Sequence, residues 1–133
     1  MTRLTREWVR KAENDWRVVQ IAIVDSKFFR DTICFHCQQS AEKYLKALLQ
    51  ESGAPVPRTH NLESLLEHLL AGHPSLQGTR RGLRFLTDFA VDSRYPGTSA
   101  KKRQMESALR WAERIRLECR ALLGLKPPRP QKT

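Results

Sequence analysis

Arg30 and His36 stand six positions apart. An arginine with a histidine is the minimal kit for metal-independent RNA cleavage, because the imidazole moves the proton while the guanidinium stabilises the phosphorane-like charge. A linker arginine and an unrelated surface histidine give the same spacing, so both readings stand. Overlapping this pair, Cys34-Phe35-His36-Cys37 spells C-x-x-C, the pattern of redox pairs and of half a zinc site. Redox pairs follow a strand in a βαβ unit, and structural zinc needs a second paired cluster. Neither setting surrounds this run, so the expectation is two small thiols packed in a helix, with no metal and no cofactor.

Gln38, Gln39, Glu42 and Lys46 follow along one strip beside Phe35. The strip is either a solvated face with an i,i+4 ion pair or a polar set bonding a subunit, a ligand or a buried backbone group. As a nucleotide site, Lys46 and Arg94 would take phosphate, the glutamines would bond base or sugar, and Glu42 would orient Lys46 or a ribose hydroxyl. Arg94, in Arg94-Tyr95-Pro96, is also the candidate partner for Asp15, whose carboxylate falls in the apolar arc of the first helix and needs a cation there. His60 is either a ligand or part of a capping turn.

Helical periodicity supplies the elements that would position these groups. Trp8, Ala12, Val19, Ala22 and Ile23 predict a first helix over about 5–25. Asp31 or Thr32 would cap a second, ending near Ser52 before Gly53 and Pro55. Its Cys34, Cys37, Ala41, Tyr44, Leu45 and Leu48 make one face, with Phe35, Gln38, Glu42 and Leu49 on an adjoining one, so it is central. After the extended 54–58 linker, Thr59-His60-Asn61 caps a short helix with Leu62, Leu65, Leu66 and Leu69 buried. A fourth helix is predicted over 75–92, using Leu76, Leu83, Leu86, Phe89 and Ala90. The last, over 98–123, carries a seam of Met105, Ala108, Ala112, Ile115, Cys119 and Leu122, with Arg103, Arg110 and Arg114 facing solvent. No period-2 pattern and no repeat is present. The fold class expected is all-α: an antiparallel up-and-down four-helix bundle with an additional short helix over 1–124, then a basic proline-rich tail over 125–133 without a fold.

The 24 Lys and Arg against 14 Asp and Glu give a formal charge of +10, which favours anionic partners. At 40% hydrophobic residues, 133 residues suffice for one packed core. Val18-Val19-Gln20-Ile21-Ala22-Ile23-Val24 falls far short of the roughly 20 apolar residues of a membrane span. The charged start, Met1 to Trp8, does not read as a signal peptide, so a cytoplasmic protein with its odd three cysteines free is expected.

Trp8-x3-Ala12-x2-Asp15, the run from Cys34 to Leu49 with its Gln-Gln-x-Ala-Glu-Lys-x-Leu-Lys-Ala core, Thr59-His60-Asn61-Leu62 and Arg94-Tyr95-Pro96 together resemble the HEPN domain family. The resemblance spans about 5–123. It implies a helical bundle that is usually a homodimer, paired in prokaryotes with a minimal nucleotidyltransferase in a toxin–antitoxin-like system, and associated with nucleotide binding or metal-independent RNA cleavage. Ribonuclease members carry Arg-x(4–6)-His near the start of the final helix. Here Arg94 is followed by Tyr95-Pro96-Gly97-Thr98-Ser99-Ala100-Lys101-Lys102, without a histidine, and Arg30-x5-His36 lies between the first two helices. The expectation is a homodimer that binds nucleotide or RNA phosphates beside a nucleotidyltransferase partner. The alternatives are a toxin endoribonuclease using Arg30 and His36, and a pure protein-interaction module.

Overall fold

The computed structural model describes residues 1–89 and 95–127. Among them the chain is all helical: α1 (Arg3–Ala22), α2 (Arg30–Glu51), α3 (Leu62–Leu69), α4 (Arg80–Thr87) and α5 (Lys102–Leu122), with 3-10 turns at Ile23–Asp25 and Pro74–Thr79. Thr2 caps α1, its hydroxyl accepting the Thr5 N–H at 3.0 Å. Glu51, at the far end of α2, accepts from the Thr2 N–H at 3.2 Å and the Thr5 hydroxyl at 3.0 Å. That tie sets α1 antiparallel to α2. Ala100 N–H donates to Asp31 at the start of α2, and Arg120 reaches Tyr44 further along it, so α5 runs with α2 and against α1.

The central position expected for α2 is what the structure shows, since α1, α3, α4 and α5 all pack on it. Its fully buried Ile33, Cys37, Tyr44 and Leu45 join Val19 of α1, Leu65 of α3, Leu83 of α4 and Ile115 of α5 in one core. Burial on both flanks is why this helix carries apolar residues on two faces.

Several boundaries differ from those predicted. Helix α2 begins at Arg30 behind Phe29, without a side-chain cap. Neither Asp31 nor Thr32 caps it, because the Asp31 carboxylate accepts the Ala100 N–H at 2.6 Å instead and so holds the start of α5. The predicted fourth helix is divided: Pro74–Thr79 is a 3-10 turn in which the Thr79 hydroxyl donates to the Leu76 carbonyl, and α4 follows. Ala90 and the rest of 90–94 lie outside the described residues, as do 128–133 of the tail. Helix α5 starts four residues later than predicted, at Lys102. The seam stops at Cys119, since Leu122 is exposed, and Ile23 is exposed on its 3-10 turn.

Candidate functional site

Helices α1 and α2, antiparallel, bring Asp15 against two residues of α2 that are two turns apart. His36 Nδ1 lies 2.8 Å from Asp15 Oδ1, and Lys43 Nζ donates to Oδ2 at 2.6 Å. Both carboxylate oxygens are thus engaged, as a buried acid requires. The Asp15 side chain is 9% exposed, while His36 and Lys43 stand at 26% and 23%, so its two partners form the outer layer. Paired to Asp15 through Nδ1, the ring is held in one orientation, with Nε2 left outside that contact. Arg94, the partner expected for Asp15, lies outside the described residues.

Arg30 opens α2, and its Nε is buried without a hydrogen-bond partner. Six helical residues amount to about 9 Å of rise and a turn and two-thirds. Among the described residues no hydrogen bond or ion pair joins Arg30 to His36.

The strip of Gln38, Gln39, Glu42 and Lys46 does come together, as an internal network. Glu42 is its hub: Oε2 accepts from Lys46 Nζ at 3.0 Å, while Oε1 takes Gln38 Nε2 at 3.2 Å and lies 2.9 Å from His60 Nδ1. Gln38 Nε2 also donates to the His60 carbonyl at 3.2 Å, and Gln38 Oε1 accepts from Gln39 at 2.7 Å. Glu42 and Lys46 are only 4% and 8% exposed, which removes the solvated-face reading. The strip instead bonds the His60 backbone carbonyl and pins the end of the 54–61 linker to α2. Lys46 also sits 5.6 Å from the centre of the Trp8 ring, a cation–π distance. His60 contributes its side chain to this network, while the cap of α3 is Asn61, whose side chain accepts the Ser64 N–H at 3.1 Å.

Two groups went unread in the sequence. Lys43 is one; its signal is the seven-residue step from His36, which places both on the stripe facing Asp15. The other lies between α1, α2 and α5. Arg116 makes two bonds of 2.7 Å to Glu13, the buried Tyr44 hydroxyl donates to Glu13, and Arg120 donates to Tyr44 at 3.3 Å. Burial pushes the Glu13 carboxyl up, but Arg116 and Tyr44 outweigh it and hold the group below the usual carboxylate range. Burial raises the Tyr44 hydroxyl, and the bond to Glu13 adds to that. No sequence signal links positions 103 residues apart.

Cys34 and Cys37 are fully buried free thiols. Burial, helped by Asp31, pushes Cys34 up to about 12, and burial pushes Cys37 up as well. Neither is a thiolate at neutral pH, so the C-x-x-C run is packing. Among the described residues no group of three or more His, Cys, Asp or Glu could hold a metal ion, and no helix is long and apolar enough to cross a membrane.

The family model of the HEPN domain matches residues 5–122. The chain belongs to the HEPN domain family. Two solved structures share the fold. TT1696 from Thermus thermophilus is 23% identical with a TM-score of 0.79, over 90% of this chain and 98% of its own. ST0689, an archaeal HEPN homologue, is 27% identical with a TM-score of 0.68, over 92% and 99%. No curated protein matches this HEPN sequence.

Proposed function

We propose that this HEPN protein binds the phosphates of a nucleotide or of RNA as a homodimer, and acts with a minimal nucleotidyltransferase partner in a toxin–antitoxin-like pair. The observation that carries the reading is the charge arrangement on α2. Lys43, with His36 and Gln39 beside it, forms a part-exposed polar layer, and the acids behind them, Asp15 and Glu42, are already paired within the chain. An incoming phosphate therefore meets donors without a free carboxylate opposing it. Gln39 and Lys43 supply the first contacts, Lys46 and Arg94 complete them, and Gln38 and Glu42 hold the strip in place. Thermal melting with ATP or oligouridylate tests this. A rise in Tm that shrinks in Lys43→Gln/Lys46→Gln and in Arg94→Ala is expected; no shift in Tm or in backbone NMR spectra with any nucleotide or RNA refutes it.

A second reading, metal-independent RNA cleavage, is favoured by one observation: Asp15 orients His36 as a proton-transferring imidazole is oriented. It requires RNA degradation in excess chelator that disappears in His36→Ala and in Arg30→Ala, and that weakens in Asp15→Asn. The two His36 and Arg30 sites of a dimer would then supply what one chain does not bring together.

A further inference from the structure

In a closed up-and-down bundle the first and last helices pack side by side. Here α1 and α5 each pack along α2, but their backbones stay apart from one another. They are joined instead by the Glu13–Arg116 bridge, which lies in an open groove of about 1190 Å³ running between them. An apolar strip of Ile21, Ile23, Val24, Leu109 and Leu117 beside Trp16 runs through it, and half of its lining is polar or charged. Ile21 is 67% exposed, Val24 90% and Leu117 43%, an unusual outlay of large apolar side chains to water.

The rim is basic. Arg10 and Arg17 line the α1 side, and Arg6 lies one turn before Arg10 on the same face. Arg110 shares the face of Leu117 two turns away on α5. Of the acids in the groove, Glu13 is committed to Arg116 and Arg120, which leaves Glu113 against this row of cations.

We infer that the groove between α1 and α5 is a docking site for an acidic amphipathic helix of a partner protein, which lays its apolar stripe on Leu109, Leu117 and Ile21 and its carboxylates on Arg10 and Arg17. A helix is the shape the gap lacks, since one placed between α1 and α5 restores the side-by-side packing of a closed bundle. Charge selects an acidic one. A second copy of this chain brings another +10 to the same cations. RNA would match the rim but finds little to stack on: bases stack on flat rings, and Trp16, the one aromatic ring among the described residues of the lining, already has the Arg116 guanidinium 5.4 Å from its ring centre. The groove uses none of the α2 strip, so this inference holds whether or not that strip binds nucleotide.

Fluorescence anisotropy on the full chain tests it, with a labelled acidic peptide of ~18 residues, about five helical turns, carrying leucines at i, i+3, i+4 and i+7. A twin with lysines in place of its glutamates and a labelled oligouridylate are the controls. Binding of the acidic peptide, absent in the basic twin, is expected to weaken about tenfold or more in Arg10→Glu/Arg17→Glu and in Val24→Asp. All these positions are exposed, and unchanged far-UV circular dichroism confirms the fold of each variant. No binding, or binding indifferent to both variants, overturns the proposal. So does oligouridylate, rather than peptide, losing affinity in the variants. A dimer that Val24→Asp converts to monomer also overturns it, because a second copy would then be the occupant.

Discussion

Glu42 is nearly sealed from water, yet it is charged, and what makes this tolerable is that three different groups meet its two oxygens. Removing such a hub strands the Lys46 ammonium in a dry place, so Glu42→Ala is expected to destabilise by about 3–5 kcal/mol. The double variant Glu42→Leu/Lys46→Leu removes the stranded charge together with its partner and should recover much of that loss; urea unfolding of both checks it. A double variant no more stable than Glu42→Ala would show that the loss comes from the Glu42 bonds to Gln38 and His60 rather than from a stranded Lys46 charge. The members of this strip were legible because helical spacing puts 38, 42 and 46 in one row. Their burial was not, since it depends on the 54–61 linker folding back so that His60 reaches α2 from 18 positions away. Lys43 escaped notice for the opposite reason: a lysine on a helix is ordinary until the acid facing it is known.

At the scale of elements, the helices that periodicity announced most strongly are the ones found, because α1, α2 and α5 each have long runs whose burial follows the pattern. The region between 74 and 92 was harder to read. Its apolar spacing fits one helix, but the contact that shapes it is a close approach encoded by glycines rather than by periodicity. A Cβ at Gly82 would stand 2.2 Å from the ring of Trp111, and one at Gly78 would stand 2.8 Å from the Arg114 guanidinium. Helix α4 therefore lies with its backbone directly on α5. Within a helix an alanine normally gains up to about 1 kcal/mol over glycine, but here overpacking opposes it at about 1–3 kcal/mol. Gly82→Ala is expected to lower stability, and Gly82→Ala/Trp111→Leu to lose less than the sum of the single changes, read as non-additivity in urea unfolding. Additive losses would mean that the ring moves aside without resistance.

For the whole molecule, the charge balance sets how the bundle responds to acid. Glu13 is the one carboxylate joining α1 to α5 across the groove among the described residues, and Arg116 with Tyr44 holds it below the usual carboxylate range. A group whose folded pKa is depressed stabilises above its unfolded value, near 4.3, and loses that contribution as pH falls through the folded value. Glu51, held low by Thr2 and Thr5, and Glu63, held at about 2 chiefly by Arg84 and Arg80, act in the same direction. Below that window the chain keeps its 24 Lys and Arg and has lost the carboxylates that offset them, so self-repulsion adds to the lost bridge. Stability is therefore expected to fall as pH drops below about 4.5, with a slope bounded by about 1.4 kcal/mol per pH unit for each proton taken up. Glu13→Gln should be less stable at neutral pH and show a shallower acid slope, with the difference between the proteins closing at the lowest pH. Urea unfolding from neutral to acid pH measures this. Parallel curves for the two proteins would remove Glu13 from the acid response and leave the bond between α1 and α5 without an energetic role.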